Sequence, residues 1–243
     1  MFWITIIFFL FIAIMMGFLM LVSKHPEIAE NSAIISTKAS FIGKADWQSY
    51  LELLVQMGMI LGVIGSGIVT VWIFGREYSD RTIKDILVLP VSRFSILSSK
   101  FIIAFFWSLL LLIIMFLTGI LAGLIVSLDG WTKELFTQNF VVFIKSSLLT
   151  LILLSPVALI TCMSRSYLLP VGFIILIMIV TQFVIMGFNA ISPYFPWAIP
   201  ALITGVAGPG NPEANILSKI ILCFTSLLGF AGTAVWWRYA DQH

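Results

Sequence analysis

The sequence has 243 residues, of which 60% are hydrophobic and 10% charged, and its mean hydropathy is +1.12. Soluble domains usually carry about 25% charged residues, so this composition excludes an ordinary soluble enzyme. The formal net charge of +2 gives no reason to expect a nucleic-acid partner. The length leaves room for a single transmembrane domain, predicted over residues 1–243.

Six runs of mostly apolar residues are long enough to cross a bilayer, which needs about 20 such residues per helix. They predict an all-α integral membrane protein embedded in the lipid bilayer. The predicted spans lie at about 2–22, 51–74, 101–126, 140–162, 168–188 and 216–237. The first run lacks a preceding basic segment and exceeds the ~7–15 apolar residues of a signal peptide, so we expect a retained helix. Pro156 and Pro170 are tolerated where neighbouring helices cover the freed carbonyl groups.

Small residues recur every four positions along the second predicted span, which places them on one helix face. Such a stripe lets helix backbones approach closely in lipid. Two interpretations stay open: ordinary packing within the chain, and a dimeric or moving seam. The residues are Gly58, Gly62, Ser66 and Thr70.

Four polar residues lie within or next to the ends of the predicted spans: Glu52, Gln56, Gln182 and Asn189. They either line a translocation path or hydrogen-bond across helices, and both interpretations stay open. No span carries an acidic residue at its centre, and the histidines fall outside the spans, which argues against an intramembrane enzyme. The sequence also lacks the pattern G-x-x-x-x-G-K-[ST] of a phosphate-binding loop. We therefore predict no catalytic, cofactor-binding or metal-binding residue in this chain.

The basic residues indicate an orientation in the membrane. Lysine and arginine are divided almost equally between the two sides, but every arginine lies on the side of the 75–100 loop, the 164–167 turn and the C-terminal segment. Cytoplasmic loops are enriched in such residues. We therefore predict that this loop and both termini lie in the cytoplasm.

A charged island, residues 74–100, separates the second and third predicted spans. Ser79 or Asp80 can begin a short helix that Pro90 ends, with apolar and charged residues on opposite faces. A second helical turn begins at Ser92 and leads into the third span, so two short interfacial helices are predicted. The first is either a membrane anchor or a docking element for a soluble partner. Its acidic residues weaken attraction to anionic lipid and favour docking.

The segment 189–215 is predicted to lie on the outer side and is mostly apolar, although it contains five prolines. It is too interrupted to span the membrane. Irregular apolar backbone persists at membrane depth where protein buries it or where it lines a cavity. We predict a re-entrant extracellular element before the sixth span, with an interfacial loop lying flat as the alternative.

The 77–100 segment resembles a known family. Six residue types recur at the family's spacing, and a seventh, Leu87, is offset from it by one position. The six are Glu77, Thr82, Pro90, Ser92, Arg93 and Lys100. The chain thereby resembles the permeases of ABC transporters of the type-2 exporter class. Within this family, the segment REYSDRTIKDILVLPVSR is most similar to the bacitracin-transport and lantibiotic-immunity branch. Family members usually begin with a cytoplasmic amphipathic helix, whereas this sequence begins directly in its first predicted span.

The resemblance implies that the loop between the second and third spans is a coupling helix that docks into a separate ATP-binding subunit. ATP and Mg would be bound by that partner, and two permeases, identical or paralogous, would assemble with two ATPases. The implied coupling residues are Glu77, Arg81, Thr82, Lys84, Asp85, Pro90 and Arg93.

The resulting functional prediction is a permease subunit of an ATP-driven exporter in a bacterial plasma membrane. Its implied cargo is a peptide antibiotic or another amphipathic or hydrophobic compound. The alternative is a non-transporting immunity or regulatory protein that recruits a cytoplasmic partner through its basic loop.

Overall fold

The computed structural model describes residues 2–25, 45–80, 82, 91–208 and 210–239. The helices are α1 (Phe2–Lys24), α2 (Trp47–Ser79), α3 (Arg93–Ile125), α4 (Lys133–Ile152), α5 (Ser155–Ser164), α6 (Leu168–Gly187), α7 (Ile199–Thr204) and α8 (Ile216–Tyr239). Six stretches within these ranges are long and apolar enough to cross a membrane: α1, α2, α3, α4 together with α5, α6, and α8. The prediction of an all-α protein with six spans is thus confirmed for the described residues.

Helices α2 and α3 extend beyond the predicted spans, to 33 residues each. Residues 93–100, predicted to form a separate interfacial helix, are instead the first turns of α3. The side chain of Ser92 caps this end, because its Oγ accepts a hydrogen bond of 3.1 Å from the Ser95 N–H. The amphipathic helix predicted to begin at Ser79 or Asp80 and to end at Pro90 falls mostly outside the described residues and stays a prediction; Ser79 itself is the last residue of α2. The side of the membrane on which the termini lie also stays a prediction.

The chain divides into two compact units. Unit 1 comprises Met1–Met59 and Leu110–Ser147, and unit 2 comprises Ile60–Leu109 and Leu148–His243. Each is described below by itself.

In unit 1, glycines on α3 let large side chains of α2 approach its backbone. A Cβ atom at Gly119 would lie 2.6 Å from Leu54, and one at Gly123 would lie 2.7 Å from Trp47. The hydroxyl of Tyr50, which is fully buried, donates a hydrogen bond of 2.7 Å to the Gly119 carbonyl. Close packing and an interhelical hydrogen bond therefore act at the same place.

Tyr50→Phe should reduce the free energy of unfolding by about 0.6 kcal/mol, the average measured for interhelical hydrogen bonds in a membrane protein, and by at most about 1.7 kcal/mol. The change keeps the aromatic ring and removes only the donor. Tyr239→Phe is the matched control, because Tyr239 is exposed. Unfolding in mixed micelles measures both; equal effects would show that the Tyr50 bond contributes nothing.

In unit 2, the fourth predicted span is broken. The N–H groups of Leu153 and Leu154 bond to carbonyls only three residues back, on Thr150 and Leu151. Pro156 follows in the first turn of α5, where a proline has no N–H to donate and cannot continue the preceding helix. The fourth span predicted at about 140–162 is therefore present but interrupted: α4 ends at Ile152 and α5 begins at Ser155.

Helix α8 covers this break. At Gly229 the backbone of α8 lies so close to Ser155 and Pro156 that an added Cβ atom would overlap their backbone atoms. The Oγ of Ser155 donates a hydrogen bond of 2.7 Å to the carbonyl of Ser226. A small residue and a hydroxyl thus join α8 to the interrupted span.

The segment before α8 is folded back on itself. It contains a 3-10 helix, Ser192–Tyr194, and the short helix α7. The Asn189 amide donates a hydrogen bond of 3.1 Å to the Gly210 carbonyl, which joins the two ends of the segment. Ile199 is fully buried in a cluster with Leu153 and Leu222. The re-entrant depth of the segment in the membrane stays a prediction.

Candidate functional site

A buried ion pair joins the two helices that flank the 81–90 loop. Lys100 on α3 places its Nζ 2.5 Å from Glu77 Oε1 on the last turns of α2, and the side chains are only 9% and 16% exposed. The same Nζ donates a hydrogen bond of 2.9 Å to the Ile73 carbonyl. The charge of Lys100 is thus held at the point where the chain leaves α2.

Two aromatic rings enclose the ammonium group. Its Nζ lies 5.6 Å from the centre of the Phe74 ring and 5.4 Å from that of Trp237, within the range of cation–π attraction. The Trp237 indole N–H donates a hydrogen bond of 3.3 Å to the Cys162 sulfur. We call Phe74, Glu77, Lys100, Cys162 and Trp237 the Lys100 cluster. It joins α2, α3, α5 and α8 within unit 2.

One polar atom of the Lys100 cluster is buried without a hydrogen-bond partner among the described residues. This atom is Oε2, the second carboxylate oxygen of Glu77. A buried ion pair stabilises a fold only when its partners are both present, since removing one leaves an uncompensated charge. The cluster is therefore more sensitive to single substitutions than an exposed ion pair is.

A second link joins the returning end of the loop to α8. Arg93, the first residue of α3, donates hydrogen bonds from Nη1 to the carbonyls of Trp237 at 3.0 Å and Arg238 at 3.3 Å. These carbonyls belong to the last turn of α8, where helical C=O groups lack intrahelical donors. A cation there also interacts favourably with the helix dipole. Both ends of the 81–90 loop are thus fastened to the helices of unit 2.

Three of the seven implied coupling residues lie in the described part of the chain. Glu77 and Arg93 turn toward contacts within this protein, whereas Thr82 is exposed and its N–H bonds to the Glu77 carbonyl at 3.0 Å. The other four, Arg81, Lys84, Asp85 and Pro90, lie outside the described residues. Sequence reasoning placed Lys100 in the family pattern but missed it as the partner of Glu77. Two opposite charges bordering the apolar spans are the signal that could have indicated the pair.

The four polar residues considered for a translocation path fall into the two units. Glu52 and Gln56 are exposed one turn apart on α2 in unit 1, and the Gln48 amide donates to Glu52 at 3.3 Å. In unit 2, Gln182 is half-buried and Asn189 bonds to Gly210. Their use in transport stays a prediction.

The four residues of the small-residue stripe are all buried. In unit 1, a Cβ atom at Gly58 would touch the Phe143 ring. In unit 2, the hydroxyl of Thr70 donates a hydrogen bond of 2.8 Å to the Ser66 carbonyl of its own helix. Gly62 belongs to unit 2.

The notable contacts at this site, among the described residues, are an ion pair, hydrogen bonds and packed aromatic rings. Within the described ranges, no three His, Cys, Asp or Glu side chains are grouped so that they could hold a metal ion. The Lys100 cluster and the Arg93 link are instead suited to fixing the loop mechanically to the helices.

Comparisons with known proteins show the family to which the chain belongs. The family model described as ABC-2 family transporter protein matches residues 1–182. The bacitracin transport permease protein BCRB of Bacillus licheniformis is 30% identical over 186 residues, which are 76% of this chain and 88% of that protein. The uncharacterized protein YhcI of Bacillus subtilis (strain 168) is 41% identical over 68 residues, 28% of this chain and 20% of YhcI. No solved structure matches the chain. The family match over most of the length and the six apolar spans lead to one conclusion: the chain belongs to the ABC-2 transporter family and is a multi-pass permease subunit of the plasma membrane.

Proposed function

We propose that this permease subunit works in an ATP-driven exporter whose ATPase is a separate subunit that binds ATP and Mg. The observation that carries the proposal is the anchoring of both ends of the 81–90 loop, by the Lys100 cluster and by the Arg93 link. A loop fixed at both ends transmits a push from a bound partner to the helices instead of bending at its base. ABC-2 permeases generally work with ATPase subunits, and we propose an assembly of two permeases and two ATPases.

The proposal divides the seven coupling residues by role. The surface that contacts the ATPase consists of Arg81, Thr82, Lys84, Asp85 and Pro90. Glu77 and Arg93 fix this surface to the permease, because their side chains are engaged within unit 2. Both groups of residues are required for coupling, but only the first is expected to determine affinity for the ATPase.

The proposed cargo class is a peptide antibiotic or a similar amphipathic compound. Support comes from the similarity to a protein named as a bacitracin transport permease. Unit 2 also has an apolar cavity of about 560 Å³, lined in part by Phe101, Phe105, Leu151 and Phe230. A cavity of this character favours an apolar portion of a cargo molecule. Cytoplasmic termini and a re-entrant outer segment complete the proposed topology.

The test is copurification from membranes of the native host. The tagged chain should recover a protein that contains a phosphate-binding loop and hydrolyses ATP. Arg81→Gln combined with Lys84→Gln should lower its recovery by about tenfold or more, because close charge pairs at interfaces often contribute at least ~1.5 kcal/mol.

Lys133→Gln combined with Lys219→Gln is the matched control. It removes the same charge from two exposed residues on the predicted outer side and should leave recovery unchanged. Full ATPase recovery and ATP-dependent export in the Arg81/Lys84 variant would overturn the coupling role of the loop. A chain that recovers no ATPase at all would instead favour the non-transporting immunity protein.

A further inference from the structure

A groove of about 600 Å³ lies between the first turns of α3 and the last turns of α8, within unit 2. Two arginines, Arg93 and Arg238, form its polar end. Phe94, Leu97 and Val235 contribute an apolar wall, and Tyr239 completes it near Arg238. The groove is therefore cationic at one end and apolar along its side.

The two guanidinium groups retain capacity for an external anion. Both side chains are exposed, and neither forms an ion pair with a carboxylate in the part of the chain that the structure describes. Arg93 uses Nη1 for the carbonyls at the end of α8. Since a guanidinium carries five N–H donors, its remaining donors can bind another acceptor. Arg238 is stacked on Tyr239, with its Cζ 5.2 Å from the ring centre.

Apart from Leu97, which is buried, the apolar wall is exposed, as the two arginines are. Phe94, Val235 and Tyr239 are 61%, 56% and 69% exposed. Large apolar side chains next to exposed cations match a ligand with an acyl chain and an anionic headgroup. An acidic side chain of a soluble protein would satisfy the arginines but would leave this wall uncovered.

The groove also lies at the ends of two helices that are long and apolar enough to cross a membrane. Arg93 begins α3 and Arg238 is the penultimate residue of α8, and both helices are membrane-spanning. Cationic side chains at the ends of spans place their charge among headgroups while their stems stay in the hydrocarbon region. Arginine binds phosphate oxygens with two parallel hydrogen bonds, which adds geometric selectivity.

We propose that the groove binds one anionic phospholipid, with its phosphate between Arg93 and Arg238 and its first acyl carbons against Phe94 and Val235. The bound lipid would fill the space between α3 and α8 and reinforce the link that Arg93 makes. This proposal rests on the membrane location of the two helices and is independent of cargo and of the ATPase.

The test is lipid binding to the purified full chain in detergent, measured by native mass spectrometry with phosphatidylglycerol and phosphatidylcholine of identical acyl chains. Wild-type protein should retain phosphatidylglycerol preferentially. Arg238→Gln should weaken its binding about fivefold, and Arg93→Gln with Arg238→Gln about 25-fold, since each basic residue near a headgroup contributes about fivefold. Binding of phosphatidylcholine should change little.

Arg76→Gln is the matched control, because Arg76 is exposed outside the groove and pairs with Asp80. It should leave the lipid preference unchanged. Arg238→Gln keeps the hydrogen bonds that Arg93 donates to backbone carbonyls, so it tests the proposal even if the double variant folds poorly.

A preference for phosphatidylglycerol that is unchanged in Arg238→Gln overturns the proposal. An equal reduction of this preference by Arg76→Gln also overturns it. Inorganic phosphate that binds the protein as tightly as phosphatidylglycerol does would also overturn the proposal, because the apolar wall would then contribute nothing to binding. Loss of ATPase recovery with an intact lipid preference would assign the arginines to the ATPase instead.

Discussion

Lys100→Met should lower the free energy of unfolding by about 3–5 kcal/mol, the cost measured when one partner of a buried ion pair is removed. Methionine preserves most of the side-chain volume but leaves the Glu77 carboxylate buried without its cation. One Glu77 oxygen already lacks a hydrogen-bond partner among the described residues, so the structure has little means of compensating. The end of α2 and the base of the 81–90 loop should be the first region to lose order.

Combining Lys100→Met with Glu77→Gln should recover most of this loss, because replacing both members of a buried pair is often close to neutral. Lys219→Met is the control and should change stability little, since Lys219 is exposed. Unfolding in mixed micelles gives the free energies of the wild type, both single variants, the double variant and the control. A loss in the double variant equal to the sum of the losses in Lys100→Met and Glu77→Gln would show that the two side chains are not energetically coupled. If the pair also transmits motion, the stable double variant should still lose ATP-dependent export.

Gly229→Ala should reduce the free energy of unfolding by about 1–3 kcal/mol, the usual cost of forcing extra volume into a packed interior. The added methyl group would overlap the backbone at Ser155 and Pro156, and backbone cannot move aside as a flexible side chain can. Helix α8 would have to withdraw from the break between α4 and α5. The hydrogen bond from Ser155 to Ser226 would lengthen as a result.

Gly172→Ala provides a matched control on another membrane-spanning helix. No atom outside the neighbouring helical backbone lies within 4 Å of the Cβ position at Gly172, so alanine fits there without displacement. Alanine is also the better helix former, and Gly172→Ala should be neutral or slightly stabilising. The same unfolding measurement applies to both variants. Equal stability of the two would refute the close approach of α8 to the break.

The spans could be predicted because run length and hydropathy are local properties of a sequence. The prediction was least accurate where the outcome depends on a distant neighbour. Pro156 was visible in the sequence, but whether it bends or breaks the helix depends on what covers the freed groups, and Gly229 and Ser226 come from the last span. Helices α2 and α3 are longer than the predicted spans for a related reason. The last turns of α2 and the first turns of α3 are polar, and they stay helical because Glu77, Lys100 and Arg93 have partners in the tertiary structure.

The candidate site shows the same division between local and distant information. The family pattern points to the segment 77–100, because spacing within a segment is a property of the sequence. The pattern does not show that Glu77 and Arg93 face inward, since their surroundings include Trp237 from the opposite end of the chain. Sequence alone therefore placed Glu77 and Arg93, which have contacts within unit 2, in one group with the residues proposed to contact a partner.

The hydrogen bonds from Arg93 to the end of α8 have a practical consequence. Any displacement of the first turn of α3 must either move the last turn of α8 with it or break these bonds. Tyr239 is exposed and directly follows the accepting carbonyls. A fluorophore attached at this position would therefore report displacement of the first turn of α3 without occupying the 81–90 loop.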